Sequence, residues 1–112
     1  IRRVKEIALK HQMPILGFGH AGDGNVHLML LGKDMAEDVW KRKLPLVFED
    51  IYQAGASLGG AISGEHGIGF DKKSYLAMTM DRELIELMKR IKQAFDPNDI
   101  LNPGKIFAHH AA

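Results

Sequence analysis

Apolar positions in the first third of the chain recur first at helical spacing and then in runs short enough to be strands. Residues 1–11 place four of their less polar side chains on one helical face, namely Val4, Ile7, Ala8 and His11. This spacing predicts a short amphipathic helix, which Met13-Pro14 ends. Residues 14–20 and 26–31 are predominantly apolar and predict two strands after the helix.

The connection between these two strands predicts a hairpin. Asp23-Gly24 lies between the apolar runs, and both residue types tolerate the positive φ angles of tight turns. Gly17 and Gly19 weaken the first strand and indicate a bulge or the close approach of another backbone.

A longer helix is predicted in the middle of the chain. Asp34, with Glu37 three residues later, resembles a capping box. The apolar stripe that follows has helical spacing and comprises Trp40, Leu44, Val47, Phe48 and Ile51. Pro45 falls inside this stripe and lacks a backbone donor, so a kink or two shorter helices are expected.

The second half of the chain begins with glycines and continues into a helix. The glycine density of residues 55–69 predicts no helix, and residues 61–63 predict a brief third strand. Asp81 is expected to cap the clearest helix, and Asp96-Pro97 to end it. The apolar side of this helix comprises Leu84, Leu87, Met88, Ile91 and Phe95.

The order of these elements predicts the fold class. Helices combined with hairpin-linked strands, rather than alternating strand–helix units, favour an α+β fold. We expect an antiparallel sheet of two or three strands with helices packed on one side. Residues 101–106 are predicted to form a turn-rich arm with little to bury.

Composition narrows the function classes without naming one. The chain has 112 residues, 46% hydrophobic and 26% charged, which suits one small globular domain. Basic and acidic residues number 15 and 14, so no electrostatic footprint for nucleic acid exists. Because cysteine is absent, disulfides, thiolate ligands and cysteine nucleophiles are excluded. His109 and His110 are native residues or an affinity tag and receive no functional role.

Two histidines flank the predicted hairpin loop. His20 and His27 would lie on adjacent strands about 5 Å apart. A metal ion bound at about 2.0–2.1 Å from each imidazole nitrogen could bridge that gap. Taken alone, the pair is better explained as two polar loop-end residues that hydrogen-bond the turn.

A second motif, Ser63-Gly64-Glu65-His66-Gly67-Ile68-Gly69, adds a carboxylate and a third imidazole. An exposed surface turn would also explain it. Two glycine-rich loops that together carry His20, His27, Glu65 and His66 nevertheless favour a site. Two imidazoles and a carboxylate are ligands for a divalent ion, and the remaining imidazole suits proton abstraction near neutral pH.

Two further patterns carry less weight. Residues 17–22 match the G-x-G-x-x-G dinucleotide fingerprint, but a second strand follows where the phosphate-binding helix should begin, so this interpretation is rejected. Lys72-Lys73 is interpreted as a solvated pair, with a substrate or cofactor contact as the alternative.

Three motifs in order resemble a known family. They are similar to motifs in the C-terminal part of the FAD-linked oxidases. The three are the stretch from His20 to His27, the Ser63–Gly69 motif, and Asp96-Pro97 followed by Leu101-Asn102-Pro103-Gly104-Lys105. This family includes glycolate oxidase, D-lactate dehydrogenase and D-2-hydroxyglutarate dehydrogenase. The resemblance extends over residues 14–107.

The resemblance implies a flavoenzyme and assigns roles by motif. His20, His27 and Glu65 correspond to metal ligands, with Zn²⁺ or Mn²⁺ expected, and His66 to the base that takes the substrate's hydroxyl proton. Hydride then passes from the substrate to FAD. Asn102 to Lys105 would return the chain toward the flavin, so Asn102 and Lys105 are expected cofactor contacts.

The resemblance also implies where the chain belongs in a longer protein and which substrate contact it lacks. Residues 1–112 would be the latter half of a cap domain whose FAD-binding domain lies outside the chain. Many family members carry asparagine where this chain has Met29, so the substrate carboxylate contact is in doubt. A small 2-hydroxy acid of the glycolate or D-lactate type is the expected substrate, and the electron acceptor is unassigned. A cytoplasmic location, or one at the membrane periphery, is expected.

Two other functions remain open, and the chain is expected to associate with itself. A non-redox flavoenzyme of the alkyl-dihydroxyacetone-phosphate synthase type would keep the fold and change the chemistry. A standalone metal-binding or interaction module would lack catalysis. Because a piece of a larger molecule exposes apolar surface, self-association of this chain is expected.

Overall fold

The computed structural model describes residues 1–107, so His109 and His110 lie outside the described residues. The chain divides into two compact units, Ile1–Leu58 and Gly59–Ala112. Each unit is described by itself. Among residues 1–107, no helix combines the length and apolarity that crossing a bilayer would require.

The first unit contains two helices and a hairpin. In chain order these are α1 (Arg2–His11), β1 (Ile15–His20), β2 (Asn25–Leu30) and α2 (Glu37–Ser57). The two strands pair antiparallel, and together with the helices they confirm the α+β prediction. Within the described residues the sheet has these two strands alone.

The hairpin has two different faces because side chains alternate along each strand. Ile15 pairs with Leu30, and both side chains pack against the core. Phe18 pairs with His27, and His20 pairs with Asn25, on the opposite face. The histidines therefore point away from the side on which the helices pack.

The core of the first unit confirms the helical face predicted for α1. Ile7, Met13 and Val47 are buried together, and they are surrounded by Ile15, Leu30, Met35, Trp40, Ile51 and Ala54. Val4, Ala8 and His11 are half-buried beside Ile7, whereas the other side chains of α1 are exposed. The spacing along α1 thus places Ile7 in the core, while the other positions of the predicted face are half-buried.

An ionic cluster joins the end of α1 to α2. The Asp50 carboxylate accepts hydrogen bonds from Lys10 Nζ and His11 Nε2, each at 2.6 Å. Lys43 Nζ donates to the His11 carbonyl oxygen at 2.8 Å. The hydrogen bonds from Lys10 and then His11 lower the pKa of Asp50 below its ordinary value of 3.8.

Three details of α2 differ from the prediction. The helix begins after Ala36, which makes no side-chain capping bond, so the capping box of Asp34 and Glu37 is wrong. It runs through Pro45 as a single element rather than as two helices. It also includes Gly55, because the helix extends to Ser57 before glycines become dense.

The second unit contains a short 3-10 turn, Lys73–Met78, and helix α3, Arg82–Phe95. Asp81 is the N-cap residue of α3 and Asp96 its C-cap residue, which confirms both predicted ends, but the Asp81 side chain makes no capping hydrogen bond. Residues 61–63 form no strand, so the predicted third strand is wrong. Ile62 is nevertheless buried, as is Leu76 of the 3-10 turn.

The apolar stripe of α3 lies on the surface. Leu84, Leu87, Ile91 and Phe95 are between 42% and 84% exposed, and no side chain of α3 is buried. The spacing predicted the helix correctly, but the stripe packs into no core of the described unit. An amphipathic helix is ordinarily stabilised by burying this face, so it is suited to a contact with another surface.

The segment after α3 is rich in turns and mostly exposed, as predicted, and its start is anchored on Asp96. The Asp96 carboxylate is buried and accepts hydrogen bonds from Ile100 N at 3.0 Å and Leu101 N at 2.9 Å. Lys92 Nζ pairs with Asp96 and donates to the Leu101 carbonyl oxygen at 2.8 Å. Lys92 and then the two backbone donors lower the pKa of Asp96, although burial opposes them.

Candidate active site

The hairpin places its two histidines on one face, at the end next to the connecting loop. His20 is the last residue of β1, and His27 lies diagonally opposite on β2. Their ring centroids are 5.2 Å apart and the rings are nearly perpendicular, at 88°. His27 also stacks on Phe18 across the strands, at 5.3 Å. The predicted proximity of the two imidazoles is therefore present in the first unit.

The loop that brings the strands together differs slightly from the prediction. Ala21–Asp23 forms a 3-10 turn, and Gly24 completes the loop in the left-handed region at φ 67°. Asp23 itself is not among the described residues with positive φ. A strand follows this loop directly, which is the arrangement that excluded a dinucleotide-binding helix.

Gly19 lies where the backbone of the facing strand leaves no room for a side chain. A Cβ at this position would lie 2.2 Å from the Asn25 carbonyl oxygen, and φ at Gly19 is +155°. At Gly17, by contrast, a Cβ would be in ordinary contact with Leu28 at 3.5 Å. The predicted close approach of backbones is thus confirmed at Gly19, beside His20.

Asn25 hydrogen-bonds with His20 across the strand ends. Its Nδ2 lies 3.1 Å from His20 Nδ1. The carboxamide nitrogen and oxygen are similar in size, so a half-turn about the last side-chain bond would place Oδ1 there instead and let Oδ1 accept a hydrogen bond from Nδ1–H. In that orientation His20 Nε2 carries a lone pair, which is the arrangement metal-bound histidines adopt.

The donor set on this face fits a divalent ion. Two imidazoles on neighbouring strands offer nitrogen ligands of the kind that Zn²⁺ and Mn²⁺ accept. His20 is exposed and His27 half-buried, so neither ring is closed off from solvent. A second-sphere partner for His20 is already present in Asn25.

In the second unit, Glu65 and His66 occupy an exposed loop. His66 Nε2 lies 3.6 Å from Glu65 Oε1, and the side chains are 70% and 47% exposed respectively. Gly67 and Gly69 have φ angles of 78° and 56°, and a Cβ at either would meet no atom of the chain within 4 Å. The positive φ angles at these two positions therefore require glycine.

The same loop is held at both ends by the two lysines interpreted from the sequence as a solvated pair. Lys72 Nζ donates to Ser63 Oγ at 3.4 Å. Lys73 Nζ lies 3.9 Å from the Phe70 ring centroid and donates to the Gly104 carbonyl oxygen at 3.1 Å. Phe70 and Lys73 are three residues apart in the sequence, which is the signal that could have indicated this contact.

The remaining predicted positions lie on the surface of their units. Met29 is 50% exposed, two residues beyond His27 on the same face of the hairpin. Asn102 is exposed and adopts a left-handed conformation, with φ 51°. Lys105 Nζ lies 5.1 Å from the Phe70 ring centroid. No contact within residues 1–107 tests their assigned roles.

Asp96 and Lys92 are the structural residues that sequence reasoning missed. The sequence pattern indicated Asp96 only as a helix stop, and nothing local required a buried carboxylate that binds two backbone amides. The signal available was the aspartate immediately before a proline-containing turn, because such side chains often bond backbone N–H groups further along.

Comparison with known proteins identifies relatives over almost the whole chain. Residues 1–106 match the family model described as FAD linked oxidases, C-terminal domain. Glycolate oxidase subunit GlcD of Bacillus subtilis is 43% identical over 99% of this chain and 23% of its own length. D-lactate dehydrogenase of Anaerostipes hadrus is 41% identical over 91% of this chain and 22% of its own length.

A third relative has a different named substrate. D-2-hydroxyglutarate dehydrogenase of Stutzerimonas stutzeri is 45% identical over 84% of this chain and 20% of its own length. The chain therefore spans less than a quarter of these curated relatives. The family match and these identities agree with the resemblance carried by the three motifs, and the chain belongs to the FAD-linked oxidase family through its C-terminal domain.

Proposed function

We propose that this chain supplies the substrate-binding and proton-transfer part of an FAD-dependent enzyme that oxidises a small 2-hydroxy acid to the 2-oxo acid. The observation that carries the proposal is the pair of imidazoles on adjacent strands in a chain of this family. The relatives are named for glycolate, D-lactate and D-2-hydroxyglutarate, all of which are 2-hydroxy acids. Within this class we propose a substrate of the glycolate or D-lactate type, as the family resemblance implies.

The chain would act as part of a longer polypeptide. Residues 1–112 correspond, in this proposal, to the latter half of the cap domain, and the FAD-binding domain is its partner. The short share of each relative that the chain covers supports this arrangement. The location proposed from the family resemblance is the cytoplasm or the membrane periphery.

His20 and His27 would hold a divalent metal ion, with Glu65 as the third ligand assigned from its motif alone. When bound, that ion would polarise the substrate hydroxyl and FAD would accept the hydride. His66 would take the hydroxyl proton through a ring nitrogen, as the resemblance implies, and its Nε2 lies 3.6 Å from Glu65 Oε1. Phe18 stacks on His27 and would fix the plane of that ring.

Met29 would lie beside the substrate without hydrogen-bonding it. A thioether is a weak acceptor and donates nothing, so it cannot anchor a carboxylate. Carboxylate binding would then depend on groups elsewhere, including residues outside this chain. Met29→Asn should lower KM for a 2-hydroxy acid if this position faces the substrate.

The test uses the FAD-loaded protein that carries this chain. Anaerobic D-lactate or glycolate should bleach the flavin, and His66→Ala should slow bleaching by about a hundredfold or more, the usual contribution of a general base. A His20→Ala, His27→Ala double variant should lose the bound ion by elemental analysis, with any terminal histidine tag removed. Arg90→Met, on α3, is a control for an unrelated surface substitution. It should neither slow flavin bleaching nor reduce the metal content.

Three outcomes would reject parts of the proposal. Flavin that resists every 2-hydroxy acid but supports exchange on an acyl-dihydroxyacetone phosphate would favour the non-redox alternative. Full flavin reduction in His66→Ala would remove that residue from the mechanism. An unchanged metal content in the double variant would place the ion elsewhere.

A further inference from the structure

The segment that follows α3 turns back onto the loop that carries Glu65 and His66. We name residues 63–70 the motif loop and residues 100–106 the return segment. Ile106 N donates to the Gly69 carbonyl oxygen at 2.8 Å. Lys73 Nζ contacts both, because it donates to the Gly104 carbonyl oxygen at 3.1 Å and lies 3.9 Å from the Phe70 ring centroid. One ammonium group thus joins the return segment to the motif loop.

The backbone of the return segment indicates that this contact is maintained against strain. Ile106 has φ 64°, a left-handed conformation that a β-branched residue adopts rarely. Such conformations persist when surrounding contacts over-determine them. Here the Ile106 amide is fixed by Gly69, and the preceding Gly104 by Lys73.

The other end of the return segment is anchored as well. Ile100 N and Leu101 N donate to the buried Asp96 carboxylate, and Lys92 Nζ donates to the Leu101 carbonyl oxygen. The segment therefore runs between two fixed points, the end of α3 and the motif loop. Because its first end is bonded to Asp96, the return segment can restrain the motif loop at its other end.

The motif loop needs an external support. Gly67 and Gly69 lie between His66 and Phe70, and glycine backbones lose more conformational freedom on ordering than any other. Both adopt positive φ angles, and a Cβ at either would have no neighbour within 4 Å to fix it. Contacts at the ends of the loop therefore help to fix the position of His66, and Lys72 supplies one at Ser63 and Lys73 one at Phe70.

We propose that Lys73 is a positioning residue for His66: it fastens the return segment to Phe70 and so fixes the loop that carries the base. This role rests on the proposed function, in which His66 takes the substrate's proton. Lys73 touches neither substrate nor flavin in this role and acts through the loop. Its ammonium combines a charged hydrogen bond with a cation–π contact, which a neutral side chain cannot replace.

The experiment compares Lys73→Met, Lys73→Arg and Lys89→Met in the FAD-loaded protein that carries this chain. Hydrogen exchange is measured by mass spectrometry for peptides covering residues 63–70 and 100–106. Flavin reduction by D-lactate or glycolate gives kcat and KM. Lys89→Met removes the same charge from the same unit, where Lys89 pairs with Glu86 on the surface of α3.

Lys73→Met should speed exchange in both peptides by about tenfold, the effect of losing one charged hydrogen bond. It should lower kcat by roughly tenfold to a hundredfold, as expected for a displaced catalytic group, with little change in KM. Lys73→Arg should restore most of both properties, because guanidinium keeps the charge and the ring contact. Lys89→Met should match the parent.

Two results would overturn the proposal. The first is faster exchange in residues 100–106 with residues 63–70 and kcat unchanged, since the return segment would then not hold the loop. The second is a loss of kcat that Lys73→Arg does not rescue while exchange stays normal, since the ammonium would then act directly. If the parent protein reduces no flavin with 2-hydroxy acids, the proposed function fails, while the exchange comparison still decides whether Lys73 holds the motif loop.

Discussion

Gly19 shows how one residue fixes the geometry of the histidine pair. Its backbone passes so close to Asn25 that a Cβ would lie 2.2 Å from a carbonyl oxygen, an atom that cannot rotate away. The neighbouring residue on β1 is His20, and Asn25 is its cross-strand partner. Any side chain at position 19 must therefore part the strands where the imidazoles are placed.

We expect Gly19→Ala to lower the free energy of unfolding by about 1–3 kcal/mol, because over-packing here displaces backbone. Gly22→Ala is the matched control, since a Cβ at Gly22 would meet nothing within 4 Å. Urea unfolding followed by circular dichroism measures both. Equal effects of the two substitutions would show that the close approach at Gly19 is not what constrains the hairpin.

Asp96 is a single residue that makes the free energy of unfolding depend on pH. Its pKa lies below the ordinary value of 3.8, first because Lys92 donates to it, then through the Leu101 and Ile100 amides. A carboxyl whose folded pKa is lowered contributes stability above its unfolded pKa, and the contribution is lost as pH falls through the folded pKa. The affected window therefore lies below about pH 4.

The free energy of unfolding should fall as pH drops through that window, and Asp96→Asn should flatten this part of the curve. The variant should also be less stable at pH 7, where the carboxylate is ionised in both states. Unfolding by urea at a series of pH values from 7 downward gives the comparison. Parallel curves for the variant and the parent would contradict the assignment, because Asp50 would then account for the whole effect.

Among the elements, α1 is held to α2 by apolar packing and by Asp50. Ile7 and Val47 supply the buried contact, and Asp50 binds both Lys10 and His11 at the last turn of α1. Those two bonds, Lys10 first, are what lower the pKa of Asp50. The Asp50 carboxylate thus binds the two basic side chains in the last turn of α1. Basic side chains are favoured at this end of a helix by its dipole.

Asp50→Asn should loosen the last turn of α1 while the hairpin remains protected. We expect faster amide exchange in residues 8–12 at neutral pH, because Lys10 and His11 lose an ionised acceptor. Glu49→Gln, the exposed neighbour on α2, provides the control and should leave exchange unchanged. Equal exchange of α1 in both variants would mean that packing alone holds it.

The elements also separate what periodicity predicts from what it misses. The face of α1, the two strands and both ends of α3 follow from spacing and end signals, because these report local geometry. Asp34 and Glu37 had the right spacing for a capping box, yet α2 begins at Glu37 after Ala36. The spacing of two residues is a weak predictor of where a helix begins, because tertiary packing contributes most of a helix's stability. The same packing lets α2 continue through Pro45.

At the scale of the whole molecule, both units carry apolar side chains that no described residue covers. On the hairpin these are Leu16, Phe18 and Met29, and on the second unit Leu84, Leu87, Ile91 and Phe95, each at least 42% exposed. Contiguous surfaces of this kind mark sites of association. The family relation suggests that other parts of a longer polypeptide cover them, and the isolated chain should cover them by self-association.

We expect sedimentation velocity of the 112-residue chain to show a rising mass with concentration. Leu87→Glu with Ile91→Glu should return it toward the monomer, because a charged helix face resists burial. Lys41→Glu with Arg42→Glu, on the exposed polar side of α2, is a control that also adds negative charge. A parent chain that stays monomeric at every concentration would contradict the expectation.

The sequence by itself determined the helices, the hairpin, the α+β class and the family. It also determined which residues are candidates for chemistry, because residue type and spacing are local properties that survive without coordinates. Tertiary structure alone decided that His27 stacks on Phe18, that Asp96 is buried, and that Lys73 bridges Phe70 and Gly104. Each of these joins residues through the folded path of the chain, and a linear pattern carries no information about which distant atoms that path brings into contact.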